Sequence, residues 1–173
     1  MTSRERVITT LNHREPDKIP IDFGGMGSTG IMAIAYNRLK QELGLSNQNT
    51  RMLDITQQLA IPEKEILDLF QVDVISLESS YIQNDREWKS WQLPDNSKVE
   101  ILTDFMPKLV GGEWVLMDGE RIKARMPESC LYFENCNPPL EFAVTELDIQ
   151  NHNWNYLSDE YFRNLENRAK QLY

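Results

Sequence analysis

The residues with most chemical potential lie in one short run, Asp22 followed by Gly24, Gly25, Met26, Gly27, Ser28 and Thr29. Glycines without Cβ atoms let backbone approach a ligand closely, and a hydroxyl at a helix N-terminus can meet an anion. Asp22 would then accept a hydrogen bond from a substrate. The same residues also fit an ordinary tight turn, with Asp22 capping the loop or pairing with Lys18, and both readings stand. The run is not a phosphate-binding P-loop, because no Gly-Lys-Ser/Thr follows. Cys130 and Cys136 form a C-x5-C spacing, which is no standard zinc knuckle, and His13 and His152 are the only histidines. Two ordinary thiols in a reducing compartment are expected, and no metal site. Asp73 sits inside an apolar run, where ion pairing is the expectation. His13, at a helix end, reads as a cap.

Local patterns suggest the elements that position these groups. Thr2 and Glu5 fit a capping box for a first helix that stops near His13, ahead of Pro16. Residues 19–23 read as a short strand, with Pro20 confining it to an edge or a strand start. Ser28 or Thr29 caps a second helix, whose stripe is Ile31, Ile34, Ala35, Leu39 and Leu43 and whose end is Gly44. Met52, Ile55 and Leu59 suggest a short helix. Pro62 starts another, with Ile66, Leu67 and Phe70 facing inward. Residues 72–77 are β-branched and apolar, the best strand of the first half. The two strands should be parallel, with a right-handed crossover.

The texture then changes. Pro94 to Ser97 is a turn between two short strands, and Asp118-Gly119 between two more is the strongest hairpin signal in the chain. Residues 81–136 therefore read as an antiparallel hairpin insertion. Trp88, Trp91 and Trp114 suit a small core beneath it. Arg121, Lys123 and Arg125 share one strand face, read as solvated. Ser158 caps a last helix with the stripe Phe162, Leu165, Ala169 and Leu172.

Composition excludes several classes. The chain has 173 residues, 18 basic and 27 acidic, for a formal net charge of −9. An acidic chain repels phosphate backbones, so no nucleic-acid partner is expected. No apolar run reaches the roughly 18 residues a membrane span needs, and the N-terminus carries no apolar signal core. A cytoplasmic, non-membrane protein is the expectation.

Several stretches resemble the N-terminal half of the uroporphyrinogen decarboxylase-like superfamily. They are Ser3-Arg4-Glu5-Arg6-Val7, the run from Leu11 to Gly25 containing Arg14-Glu15-Pro16-Asp17-Lys18-Ile19-Pro20, Gly27-Ser28-Thr29-Gly30-Ile31, and Leu69-Phe70-Gln71-Val72-Asp73-Val74. Met126-Pro127-Glu128, Tyr132-Phe133, Pro139-Leu140 and the closing helix continue the match. The resemblance implies an α/β fold, a partial β/α (TIM-type) barrel with the 81–136 hairpins inserted, residues 1–173 forming one N-terminal half-barrel domain. Family members are about twice as long, and a whole barrel rarely needs fewer than about 200 residues. The glycine loop would then follow a strand end, where barrel active sites form.

The decarboxylases of this family carry two arginines after the first strand and an aspartate after the second. Here the loop holds no arginine, and the second strand runs into Glu78, which would have to deputise from a different register. The corrinoid-linked methyltransferase branch fits better. The implied substrate-binding residues are Asp22, Gly24, Gly25, Ser28 and Glu78, with catalytic residues unassigned. In that branch zinc is held by ligands in the second half of the chain, so corrinoid or zinc would enter only with a C-terminal half and none is bound by this segment alone. The implied partners are a C-terminal half-barrel chain or a second copy, and a corrinoid protein. The alternatives are a porphyrinogen decarboxylase-type enzyme, a non-catalytic self-associating module, and a stand-alone α+β binding domain.

Overall fold

The computed structural model describes residues 1–45, 49–77, 87–136, 138, 140–152 and 158–172. The chain divides into two compact units, Met1–Phe105 and Met106–Tyr173. Among the described residues no helix is long and apolar enough to cross a membrane.

The first unit opens with helix α1, Ser3–Leu11, held by the Thr2–Glu5 capping box. A single 3-10 turn at Gly27–Thr29 precedes α2, Ala33–Glu42. Strand β1 (Thr50–Asp54), the short β2 (Leu59–Ala60), α3 (Lys64–Leu69), β3 (Trp88–Gln92) and β4 (Lys98–Leu102) follow. The sheet order is β2-β1-β4-β3. β1 runs parallel to β4, with Met52 opposite Ile101, and the other two pairings are antiparallel. Alternation along β4 turns Val99 and Ile101 inward, where they are buried with Met52, Ile55, Leu93, Ala33, Tyr36 and Ile66. α2 packs on β1 and β2.

The second unit is an antiparallel sheet of β5 (Lys108–Val110), β6 (Glu113–Asp118), β7 (Arg121–Met126) and β8 (Glu134–Asn135), in that order. Helices α4 (Glu146–Gln150) and α5 (Asp159–Leu172) complete it. Val115, Leu116, Ala124, Met126 and Phe133 are buried.

The architecture overturns the half-barrel expectation. Among the described residues the strands form two four-stranded sheets, mostly antiparallel, and no barrel. A barrel wall needs successive parallel strands joined by long crossovers, whereas tight turns such as Asp118-Gly119 force neighbours to run antiparallel. Residues 19–23 and 72–77 are not strands. They meet in a single parallel bridge, Asp22 to Val74. Pro20 has no amide to give, and Ile21 donates its N–H to the Asp73 carboxylate at 2.9 Å rather than to a ladder carbonyl.

Other local readings also change. The spacing of Met52, Ile55 and Leu59 suggested a helix, but these residues form strand, turn and strand. Asp54 accepts the Gln57 amide at 3.0 Å and Gln58 takes a left-handed φ of 56°, which turns the chain before a helix can start. Neither Ser28 nor Thr29 caps α2, whose first residue is Ala33 and whose N-cap is Met32. The buried positions of α2 are Ala33, Ile34, Tyr36 and Lys40, and Ala35 is exposed. Phe70 is exposed rather than inward, as are Phe162 and Ala169 on α5, where Arg168 is buried. The hairpin strands β3, β4, β6 and β7 lie where the turn signals put them. Trp88 and Trp91 belong to the first unit and Trp114 to the second.

Candidate functional site

Asp22 organises the glycine loop. Its Oδ1 accepts the Gly25 amide at 2.8 Å and the Thr29 hydroxyl at 3.0 Å. Gly24 donates to the Thr29 carbonyl at 2.9 Å, which closes the loop on itself. Two of the glycines are sterically required. Gly24 has φ +83°, and a Cβ there would come within 2.8 Å of the Pro62 ring. A Cβ on Gly25 would sit 2.5 Å from Asp22 Oδ1 and 2.8 Å from Val74. Ser28 is exposed, with its hydroxyl 2.9 Å from Met26 Sδ. Lys18 reaches Gln71 Oε1 at 2.7 Å, not Asp22. Glu78 lies outside the described residues.

The loop forms one wall of an open cavity of ≈ 320 Å³. Gly24, Gly27 and Gly30 line it on that side, and the β1–β2 turn supplies Asp54, Ile55 and Thr56 opposite. Asp22, Gly25 and Ser28 are not among its lining residues, so Gly24 alone of the implied substrate-binding residues that are described reaches it. Asp54 is the only charged side chain on the described wall. Sequence reasoning missed this turn. The signal available was the Asp54-x-x-Gln57 spacing, since an Asp capping an amide three residues on marks a turn.

A network of charges anchors the loop from below. Arg6 donates through Nε to Asp17 Oδ1 at 2.7 Å, through Nη2 to Asp17 Oδ2 at 2.9 Å, and through Nη1 to Asp73 Oδ1. The Arg6 and Asp73 side chains are 8% and 1% exposed, so this pair is buried. The Asp17 hydrogen bonds hold the Arg6 guanidinium pKa above its ordinary value, outweighing burial. Arg6 in turn holds the Asp17 carboxyl well below the usual carboxylate range. Burial alone would raise Asp73, but the Ile21 amide, Ser3 and Arg6 together lower it. Asp73 is thus paired, as its place in an apolar run suggested.

A second buried cluster lies between α2 and the start of α3. Tyr36 Oη donates to Glu63 Oε2 and accepts the Glu63 amide at 2.9 Å. Lys40 Nζ donates to Glu63 Oε1 at 2.7 Å and lies 5.4 Å from the Tyr36 ring centroid. Burial first, then the Glu63 carboxylate, raises the Tyr36 pKa far above its ordinary value, so the phenol stays protonated. The 4% exposure of Lys40 makes Glu63 a necessary counter-ion.

Among the described residues no three His, Cys, Asp or Glu side chains come together as a metal-binding group. The described donors therefore do not fit a zinc ion. No protein-family model, curated protein or solved structure matches the chain.

Proposed function

We propose that this chain supplies the N-terminal part of a uroporphyrinogen decarboxylase-like protein of the corrinoid-linked methyltransferase type, active together with a C-terminal half. The observation that carries the choice of branch is the cavity beside the glycine loop. Its described wall holds no arginine or lysine, only the Asp54 carboxylate among apolar groups and hydroxyls. A porphyrinogen bearing several carboxylates needs cations to offset the loss of water, and meets none there. An apolar wall with few polar groups suits a neutral reacting group.

Two further observations support the reading. Arg6, Asp17 and Asp73 come from three separate stretches that carry the resemblance, and they form one network. Ile19, Ile21 and Ile75 flank the Asp22–Val74 bridge and are 84%, 38% and 53% exposed, an apolar row that a second polypeptide segment would cover. A corrinoid protein would carry the methyl group. This chain's own part is to hold the loop and cavity in shape.

The test is reconstitution. The chain is co-expressed with the C-terminal half of a corrinoid-linked methyltransferase of this family. A stable complex that moves methyl from methylcobalamin to a thiol is expected, with no turnover by the chain alone. Failure to associate, or a complex that decarboxylates uroporphyrinogen and leaves methylcobalamin intact, overturns the proposal. The same exposed isoleucines support a second reading, a non-catalytic module that covers them with its own copy. Light scattering that finds a dimer which the added half does not displace selects it.

A further inference from the structure

The basic cluster on β7 divides into two kinds of residue. Burial along the strand alternates, with Arg121, Lys123 and Arg125 outward and Ala124 and Met126 inward. Arg125 is neutralised, its Nη1 donating to Glu113 Oε2 at 3.2 Å. The Arg121 and Lys123 side chains have no hydrogen-bond or ion-pair partner among the described residues. Both line an open cavity of ≈ 650 Å³.

The strand register brings further groups to the same place. Ala124 pairs with Asn135, which sets Cys136 opposite Lys123, and the Cys136 amide donates to the Lys123 carbonyl at 2.8 Å. Asn135, Cys136 and His152 line the cavity with the two cations. Asp118, the register partner of Arg121, is the single carboxylate on the described wall. Two cations therefore face one anion in a chain whose net charge is −9.

The geometry points to a binding site for a small phosphorylated molecule in the second unit, independent of the function proposed above. The Arg121 guanidinium offers a planar fork that matches a tetrahedral oxyanion, and Lys123 adds a point charge two residues along the same face. The Asn135 amide and the His152 ring add neighbouring polar groups. The cavity falls in the range of roughly 300–1,000 Å³ typical of small-molecule sites, larger than a bare phosphate needs, so the remainder takes the group the phosphate is attached to.

Cys136 reports occupancy. In a Cys130→Ser background, alkylation of Cys136 by iodoacetamide is timed at constant ionic strength with chloride, inorganic phosphate or glycerol 3-phosphate. Both phosphates should slow it several-fold, chloride should not, and glycerol 3-phosphate should act at the lower concentration. Arg121→Gln and Lys123→Gln should each weaken protection about tenfold, the loss of one charge-assisted hydrogen bond. Both positions are exposed, so the fold should tolerate the changes. The Asn135 and Cys136 amide shifts, followed by two-dimensional NMR during phosphate titration, read binding without the thiol. No protection and no shift overturns the site, as does a response unchanged in the Arg121→Gln/Lys123→Gln double variant.

Discussion

Arg6 and Asp73 stand 67 residues apart in the chain and share a buried hydrogen-bonded ion pair. Asp73 spends its other oxygen on the Ile21 amide, and Arg6 spends its Nε and Nη2 donors on Asp17 and the Met1 carbonyl. One side-chain pair thus ties α1, the segment before the glycine loop and the segment after α3. Replacing Asp73 by Ala leaves the arginine buried with one partner fewer and the Ile21 amide without its acceptor. A loss of about 3 kcal/mol is expected, and Asp73→Asn should cost less because its amide oxygen can still accept from Ile21. Urea unfolding followed by circular dichroism ranks the two variants.

The same network sets an acid limit. Asp17 and Asp73 are both held below the ordinary carboxylate value of 3.8. Below that value the unfolded chain binds protons that the folded chain still refuses. Their contribution is therefore fully present above about pH 4 and falls away as pH drops through the folded pKa values. Arg6 is raised instead, so its contribution is present throughout the working range and is lost only in strong alkali. Melting temperature against pH should fall steeply below pH 4, and the Asp73→Asn variant should show a shallower acid limb. Equal limbs in the two proteins would contradict this assignment.

The glycines of the loop are not equivalent. Gly25→Ala places a Cβ against Asp22 and Val74 and should cost about 1–3 kcal/mol while reshaping the cavity wall. Gly27→Ala meets only Leu59, at 3.9 Å, and should be neutral or stabilising by about 0.4–1 kcal/mol through the unfolded chain. Thermal unfolding of the two variants side by side distinguishes steric demand from simple flexibility.

Lys40 and Glu63 should behave as a unit. Glu63→Leu alone removes a carboxylate from a buried ammonium and is expected to cost about 3 kcal/mol. Adding Lys40→Met should restore much of that loss, because an apolar pair of similar size needs no counter-ion. A double-mutant cycle by chemical denaturation measures the coupling. Strict additivity would mean that the two side chains do not depend on one another.

Legibility in the sequence followed the range of the interaction. The Thr2–Glu5 capping box and the Asp118-Gly119 hairpin were readable because each is settled within a few residues. Asp22 was readable as a cap for the glycine loop but not as the particular acceptor for Gly25 and Thr29. The cavity wall opposite it was not readable at all. Met52, Ile55 and Leu59 carry a helical spacing, but β1 pairs with β2 and with β4, a strand 49 residues on whose Glu100 holds Arg51, and these pairings make Thr50–Asp54 a strand.

What the sequence by itself determined is the set of local conformations that backbone sterics and short-range hydrogen bonds dictate: the start of α1 at its Thr2 cap, the reversal at Asp118-Gly119, the alternating faces of β7, and the −9 charge that disfavours polyanions. Tertiary structure alone decided that the described strands form two mostly antiparallel sheets, that residues 19–23 meet 72–77 in one bridge, and that Arg6, Asp17 and Asp73 converge. Those outcomes depend on which distant partners exclude water from one another. A buried charge or an unpaired amide is costly until a specific group, far off in the chain, arrives to satisfy it.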